Sequence, residues 1–408
     1  MAEGPVIALV DGEHQPAAVR ELLDEIERER GLAGVIFCGG EEKLGPGTLE
    51  QHYGRPVEHD LDDGLRRLAH GARETGAPAA VAVLDLADEP PFPATAKLRT
   101  AGLALALGLR YETPGAVLTP PRYERLEYDG PVLAVIGTGK RTGKTAVAGH
   151  WASLLKQRSV DPVIVCMGRG GPSAPQLAEP DIGLDELIAI TQAGGHAASD
   201  YLEDAVIAGV RSVGCRRVGG GLTGQPASSN VAEGAELAAR LGADAIVLEG
   251  SGACIPPLQA DRTVCVLGAG AAEPFAEYRL ARADLVLAAE GASAPPGAVP
   301  FSLRPEPLEE LPRDARAALF TTGAPAVEGV EPVVRSANLA RRSALGSDLD
   351  DAERERCDVW LTELKAAAID TVALRAQAAG ARLVFLRNRP VGVDEALLAV
   401  YEDARGVA

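Results

Sequence analysis

The segment Gly139-Lys140-Arg141-Thr142-Gly143-Lys144-Thr145 sets three cations and two hydroxyls among glycines. Those residue types at that spacing suit a bound polyphosphate. Gly139 and Gly143 let backbone N–H groups curl around an anion, and a helix starting after Gly143 adds the positive end of its dipole. Lys144 is placed to reach the β- and γ-phosphates of a nucleoside triphosphate, and the Thr145 hydroxyl to hold Mg²⁺. The expected nucleotide contacts are Gly139, Thr142, Gly143, Lys144 and Thr145. The strict pattern asks for glycine at 138; this chain has Thr138, with Gly137 one residue early. Lys140 and Arg141 are expected to stabilise a γ-phosphoryl in transfer, where charge neutralisation is most of the catalysis.

Other segments carry chemistry at apparent strand or helix ends. Glu249 closes the apolar run Ala245–Leu248 and is the expected metal carboxylate beside Thr145. Arg169 follows the apolar run ending at Met167, Arg216 and Arg217 precede a glycine run, and His196 stands after Gly194-Gly195. Guanidinium forks bind phosphate in a bidentate manner, so these four are candidates for a second anion site. Arg169 joins Lys140, Arg141 and Lys144 in the expected catalytic set. Nearer the N-terminus, Asp11, His14 and Lys43 follow the first two strand-like runs, where open α/β sheets bind ligands.

These residues need a scaffold of strand ends. Apolar runs at Val6–Val10, Leu32–Cys38 and Ala79–Leu86 alternate with helical periodicity at Ala17–Arg30 and Ala94–Leu109. Buried continuous strands alternating with helices imply a parallel sheet. Tyr128-Asp129-Gly130-Pro131 punctuates the chain, and the same grammar restarts at Val132. The expected fold is α/β: a smaller Rossmann-like α/β domain over residues 1–130, then a P-loop parallel-sheet domain over 131–408 with a C-terminal extension. No GxGxxG occurs at the first turn, so a dinucleotide site is not supported. Leu184–Val210 and Asp351–Ala379 read as largely helical, the acidic run Ser347–Asp358 as a helix start, and Gly291–Pro312 as a proline-rich loop.

Composition sets outer bounds. The 408 residues carry 58 acids against 40 bases, a net charge of −18. That excludes general nucleic-acid or anionic-membrane binding, which needs a basic surface. The chain begins without a basic segment and a long apolar core, so no signal peptide is expected, and no membrane span. Six scattered cysteines without CxxC spacing point to reduced thiols in the cytoplasm and away from zinc. Of six lysines, two lie in the phosphate loop.

The loop variant from Gly137 to Thr145 resembles that of the dethiobiotin synthetase class. The motifs DGEHQP at Asp11–Pro16, GGEEKL at Gly39–Leu44, GTGKRTGKTA at Gly137–Ala146 and GRGGP at Gly168–Pro172 occur in order. GGHAASDYLEDA at Gly194–Ala205, GCRRVGGGLTG at Gly214–Gly224 and LEGSGACIPP at Leu248–Pro257 follow. Together they resemble the cyclic 2,3-diphosphoglycerate synthetase family. That resemblance implies an ATP- and Mg²⁺-dependent ligase closing 2,3-bisphosphoglycerate into an intramolecular phosphoanhydride, with release of ADP and phosphate. It implies substrate binding by Asp11, His14, Lys43, Arg169, His196, Arg216 and Arg217, closing from a cleft between the two domains. Arg387-Asn388-Arg389-Pro390, after a late strand-like run, resembles the purine-contacting loop of related enzymes and implies a nucleotide contact for Asn388. A homodimer is expected. The rival readings are a dethiobiotin synthetase-like ligase that activates a carboxylate, a phosphoglycerate-type kinase, and a non-catalytic P-loop switch.

Overall fold

The computed structural model describes residues 4–71, 79–270, 272–323 and 326–406. The fold is α/β and divides into two compact units, Met1–Arg122 with Ala272–Arg282, and Tyr123–Ala271 with Ala283–Ala408. In the first unit, six strands run in the order Val57–Glu58, Leu32–Phe37, Val6–Val10, Ala82–Asp85, Arg110–Thr113, Ala116–Leu118. All neighbours are parallel except the last pair. The central strand Val6–Val10 is wholly buried, which accounts for its unbroken apolar sequence. Strand order reverses beside it, so Asp11 and the end of Ala82–Asp85 stand at a topological switch point.

In the second unit, the fully buried strand Val132–Gly137 lies between Ala245–Glu249 and Arg262–Leu267, both parallel to it. Glu249 pairs in register with Val135, so the carboxylate and the phosphate loop leave adjacent strands on the same edge. The helix Lys144–Gln157 packs back on this sheet through Trp151 and Leu155, both completely buried with Leu133, Val135 and Val247. A truncation such as Trp151→Ala removes a side chain worth about 3–5 kcal/mol in such a core.

The sheet continues into the C-terminal part, where the sequence reading needs correction. Gly291–Pro312 is not all loop: Val299–Pro307 is a strand. Its first residues pair with Leu285–Ala289 and its later ones with Arg382–Val391, each along one edge only. Proline lacks the N–H of a two-sided ladder but is tolerated where one edge is free. Asp351–Ala379 is not one helix. The helix Arg342–Arg354 gives way at Arg356, two residues past its end, which adopts φ 52°; the buried strand Val359–Glu363 follows, then helical turns from Ala368 to Ala379. The acidic run therefore closes a helix instead of opening one. Leu184–Val210 is two helices, Leu184–Gln192 and Asp200–Ala208, joined by the glycine-bearing loop that carries His196. Arg387–Pro390 lies within the strand Arg382–Val391, not after one. Four strands, Val334–Ser336, Ala317–Phe320, Val359–Glu363 and Arg382–Val391, form a second parallel bank.

Candidate active site

The phosphate loop is held open by its own backbone. Gly143 precedes the helix with φ 99°, a left-handed conformation that a side chain would strain. Lys144 is 7% exposed, and its Nζ donates to the Gly139 carbonyl at 2.6 Å and to Thr142 Oγ1 at 3.4 Å. Burial lowers its pKa, against the opposing pull of the Glu249 charge. A buried ammonium whose partners are neutral oxygens is short of negative charge, which a phosphate would supply.

Thr145 Oγ1 donates to Glu249 Oε1 at 2.5 Å. Glu249, 3% exposed, also accepts from the Cys166 thiol at 3.3 Å, and that thiol donates to Asp204 at 2.7 Å. Ligand atoms of Cys166, Asp204 and Glu249 all lie within 4.8 Å of one another. Burial, reinforced by the Asp200 charge, pushes Glu249 up to about 7, and burial with the Glu249 charge raises Asp204 well above the carboxylate range. Hard oxygen donors from Thr145 and Glu249 suit a small divalent cation, whose charge would bring Glu249 back to its ionised form. Asp204 and Cys166 escaped the sequence reading; Asp204 sits inside an otherwise ordinary helix, and only the tertiary packing shows what it faces.

Cations gather at the next turn. Gly252 has φ 63°, and a Cβ built on it would lie 3.0 Å from Arg169 Nη2, 3.7 Å from Arg217 Nη2 and 3.7 Å from Lys140 Cγ. Three cationic side chains from three separate segments thus converge on a residue without a side chain. Arg217 is held there by donating to the Ser251 carbonyl at 3.0 Å and the Gly219 carbonyl at 2.7 Å. None of the three has a carboxylate partner among the described residues. Arg216, the next residue on the strand Arg211–Val218, necessarily points to the opposite face and is exposed.

A cleft of about 660 Å³ holds most of this machinery. It is lined by Lys140, Arg141, Thr142, Gly143, Lys144 and Thr145 of the loop. Arg169, His196, Glu249 and Asn388 line it as well. Arg216 and Arg217 do not line it, and the Gly139 carbonyl is turned to Lys144. The far end brings residues that sequence reasoning missed: Thr322, Glu363 and Lys365. Glu363 accepts from the Thr322 N–H and hydroxyl, each at 2.8 Å, and from Asn388 Nδ2 at 3.1 Å. Lys365 pairs with half-buried Glu203 at 3.1 Å. Their signal is position near strand carboxyl ends; for Glu363 and Lys365 the helical reading of Asp351–Ala379 hides it, while Thr322 follows a strand-like run and carries no charge to mark it.

Asp11, His14 and Lys43 belong to the first unit. Asp11 is buried and accepts from the Glu13 N–H at 2.8 Å and the His14 ring at 2.8 Å, while Lys43 pairs with Glu42 on the surface.

Three family descriptions match the chain: cyclic 2,3-diphosphoglycerate synthetase N-terminal domain over residues 5–118, its P-loop domain over 132–293, and its C-terminal domain over 320–389. Proteins named cyclic 2,3-diphosphoglycerate synthetase are similar along nearly the whole length. That of Rubrobacter xylanophilus is 40% identical, covering 96% of this chain and 95% of the relative. That of Thermococcus gammatolerans is 38% identical, covering 95% and 94%. That of Methanothermobacter thermautotrophicus is 35% identical, covering 98% and 96%.

Proposed function

The chain belongs to the cyclic 2,3-diphosphoglycerate synthetase family, and from that premise we propose that it uses ATP to close 2,3-bisphosphoglycerate into its cyclic phosphoanhydride, releasing ADP and phosphate. The observation that carries this reading is the convergence of Lys140, Arg169 and Arg217 on Gly252, one turn beyond Glu249. A nucleotide needs the loop and the metal carboxylate; a second set of cations, without carboxylate partners among the described residues, answers a second polyanion. A carboxylate-activating ligase or a non-catalytic switch has no use for it.

In this reading, backbone N–H groups of the loop and Lys144 hold the β- and γ-phosphates. Thr145 and Glu249 would hold Mg²⁺, which neutralises charge on those phosphates. Lys140 and Arg141 stabilise the γ-phosphoryl as it passes to one phosphate of the substrate. Arg169 and Arg217 fix the substrate so that its neighbouring phosphate oxygen attacks the newly activated phosphorus. The bond to the transferred group breaks and inorganic phosphate leaves, carrying the γ-phosphorus of ATP. Holding both phosphates in one cleft makes ring closure an intramolecular step of high effective molarity. His196 is proposed as a further substrate contact, and so are His14 and Lys43; Arg216 is exposed on the opposite face of its strand and buried Asp11 is occupied by the Glu13, His14 and Asp88 N–H groups, so neither is proposed as a contact. The exposed Lys43–Glu42 pair is worth little, so Lys43 can exchange Glu42 for a phosphate at small cost.

The deciding experiment is ³¹P NMR of the products from 2,3-bisphosphoglycerate, ATP and Mg²⁺. A cyclic pyrophosphate resonance with stoichiometric ADP and phosphate is expected. A phosphorylated but uncyclised product favours a kinase, and ADP release indifferent to the substrate favours a switch. Among the described residues no helix is long and apolar enough to cross a membrane. Six free cysteines support placement in a reducing cytoplasm. The homodimer is a proposal that sedimentation equilibrium tests.

A further inference from the structure

The two ends of the cleft differ in charge. Lys140 and Arg169 stand by Gly252; among the lining residues of the C-terminal part, Lys365 is paired with Glu203, and Glu363 is the acid that faces the cleft. Glu363 closes the strand Val359–Glu363 and is 9% exposed. Thr322 lies just beyond Ala317–Phe320 and Asn388 near the end of Arg382–Val391, so all three come from carboxyl ends of the second parallel bank. Ligands of open α/β sheets bind outside such ends.

Glu363 is fixed and ionised. Burial would raise its pKa, but the Thr322 N–H, the Lys365 charge, the Thr322 hydroxyl and the Asn388 amide outweigh it and hold it below its ordinary value. Two donors occupy Oε2 and one occupies Oε1. An ionised carboxylate accepts about four hydrogen bonds, so Oε1 keeps one direction to offer. An acceptor-only anion repels a phosphate and asks for a neutral hydroxyl donor.

We propose that Glu363 receives the ribose 2′- or 3′-hydroxyl of the nucleotide, with Thr322 and Asn388 as the positioning residues that aim its carboxylate. The inference rests on the nucleotide reading of the phosphate loop. With the phosphates on Lys144 and Thr145, the ribose is the hydroxyl-bearing part left to meet the acidic end. The bisphosphorylated substrate, with about five negative charges, is steered to the cationic end by the same repulsion. The C-terminal bank then selects the nucleotide and does not touch the reacting phosphates.

Calorimetric titration of the full chain with ADP, 2′-deoxy-ADP and 3′-deoxy-ADP in Mg²⁺ tests this without requiring turnover. Wild-type protein should bind ADP about tenfold more tightly than one of the deoxy nucleotides, the value of a hydrogen bond to a charged group. Glu363→Gln should weaken ADP by a similar factor and leave the affinity for that deoxy nucleotide unchanged. Thermal unfolding of the variant checks that it folds. Should Glu363→Gln not fold, the wild-type comparison decides alone. Equal wild-type affinity for all three nucleotides overturns the proposal, and so does a variant that weakens all three alike, which marks a purely structural role. A wild-type chain that binds ADP at no concentration overturns the nucleotide reading itself, and with it the role of Glu363.

Discussion

At the carboxyl ends of the first unit's sheet, Asp11 accepts the backbone N–H groups of Glu13, His14 and Asp88 as well as the His14 ring. Asp85 beside it takes Lys97 at 2.8 Å and the Tyr111 hydroxyl at 2.7 Å. At the carboxyl ends of the second unit's sheet, Lys140 and Arg169 meet no carboxylate among the described residues, the Lys144 hydrogen bonds go to neutral oxygens, and Glu249 is pressed toward its neutral form. Both are polar clusters at parallel-strand ends. In the first, charges are matched within the fold. In the second, positive charge is left over and negative charge is suppressed, which costs stability unless a polyanion and a cation arrive. The difference separates polar groups that hold a structure together from those that wait for a ligand, and mutations should divide along the same line.

The largest break comes at Lys144. Lys144→Ala should lower cyclisation about a thousandfold, the scale of losing a charge-stabilising group in phosphoryl transfer. Because it removes a buried charge that lacks an ion-pair partner, it should not lower the melting temperature of the unliganded protein. Lys97→Ala in the first unit should do the reverse: it strands the buried Asp85 carboxylate and destabilises the fold. Product assays and thermal melts on both variants read the contrast, and an unstable Lys144→Ala protein would erase it.

Next in size is the arginine at Gly252. Arg169→Ala should raise the KM for 2,3-bisphosphoglycerate about thirtyfold, with the KM for ATP nearly unchanged, since charge-assisted hydrogen bonds to one substrate are lost. Arg216→Ala, on the opposite face of its strand, should raise the same KM by about threefold or less. Steady-state kinetics with each substrate varied in turn checks both. Equal effects of the two variants would mean that the convergence on Gly252 does not mark the substrate end.

How much of this was legible in sequence follows from how local each signal is. The phosphate loop is one contiguous stretch whose glycines and Lys144 spacing speak for themselves. Glu249 was readable because the end of a buried strand is a position with geometric meaning. Arg169 and Arg217 could be named but not placed together: their meeting at Gly252 depends on strand order, which no spacing encodes. Glu363 and Lys365 were lost because the five-residue strand Val359–Glu363 is too short to show period two between an acidic run and an alanine-rich one. The same limit hid Val299–Pro307, where three prolines masked a strand paired on one edge at a time.

The finest test of the comparison is the sign of a pH effect, with EDTA present. Burial alone would raise Asp11, but the Asp88 N–H, the His14 ring and the Glu13 N–H outweigh it, so its pKa lies below the ordinary value. A depressed acid stabilises the fold above its unfolded pKa, near 3.8, and loses that contribution as pH falls through its folded value. Asp11→Asn should therefore lower the melting temperature by roughly a few degrees at pH 7, with the gap closing in strong acid. Glu249 runs the other way. Its folded pKa of about 7 lies above the ordinary 4.5, so the unliganded fold is penalised increasingly from pH 4.5 to about 7 and uniformly above that. Glu249→Gln should raise the melting temperature by roughly a few degrees at pH 8 and scarcely change it near pH 4.5. Added Mg²⁺ should then stabilise the wild type more than the variant. Opposite signs for the two carboxylates mean that the first unit's cluster is built for the fold and the second unit's for its ligands; a common sign would leave the two strand-end clusters physically alike.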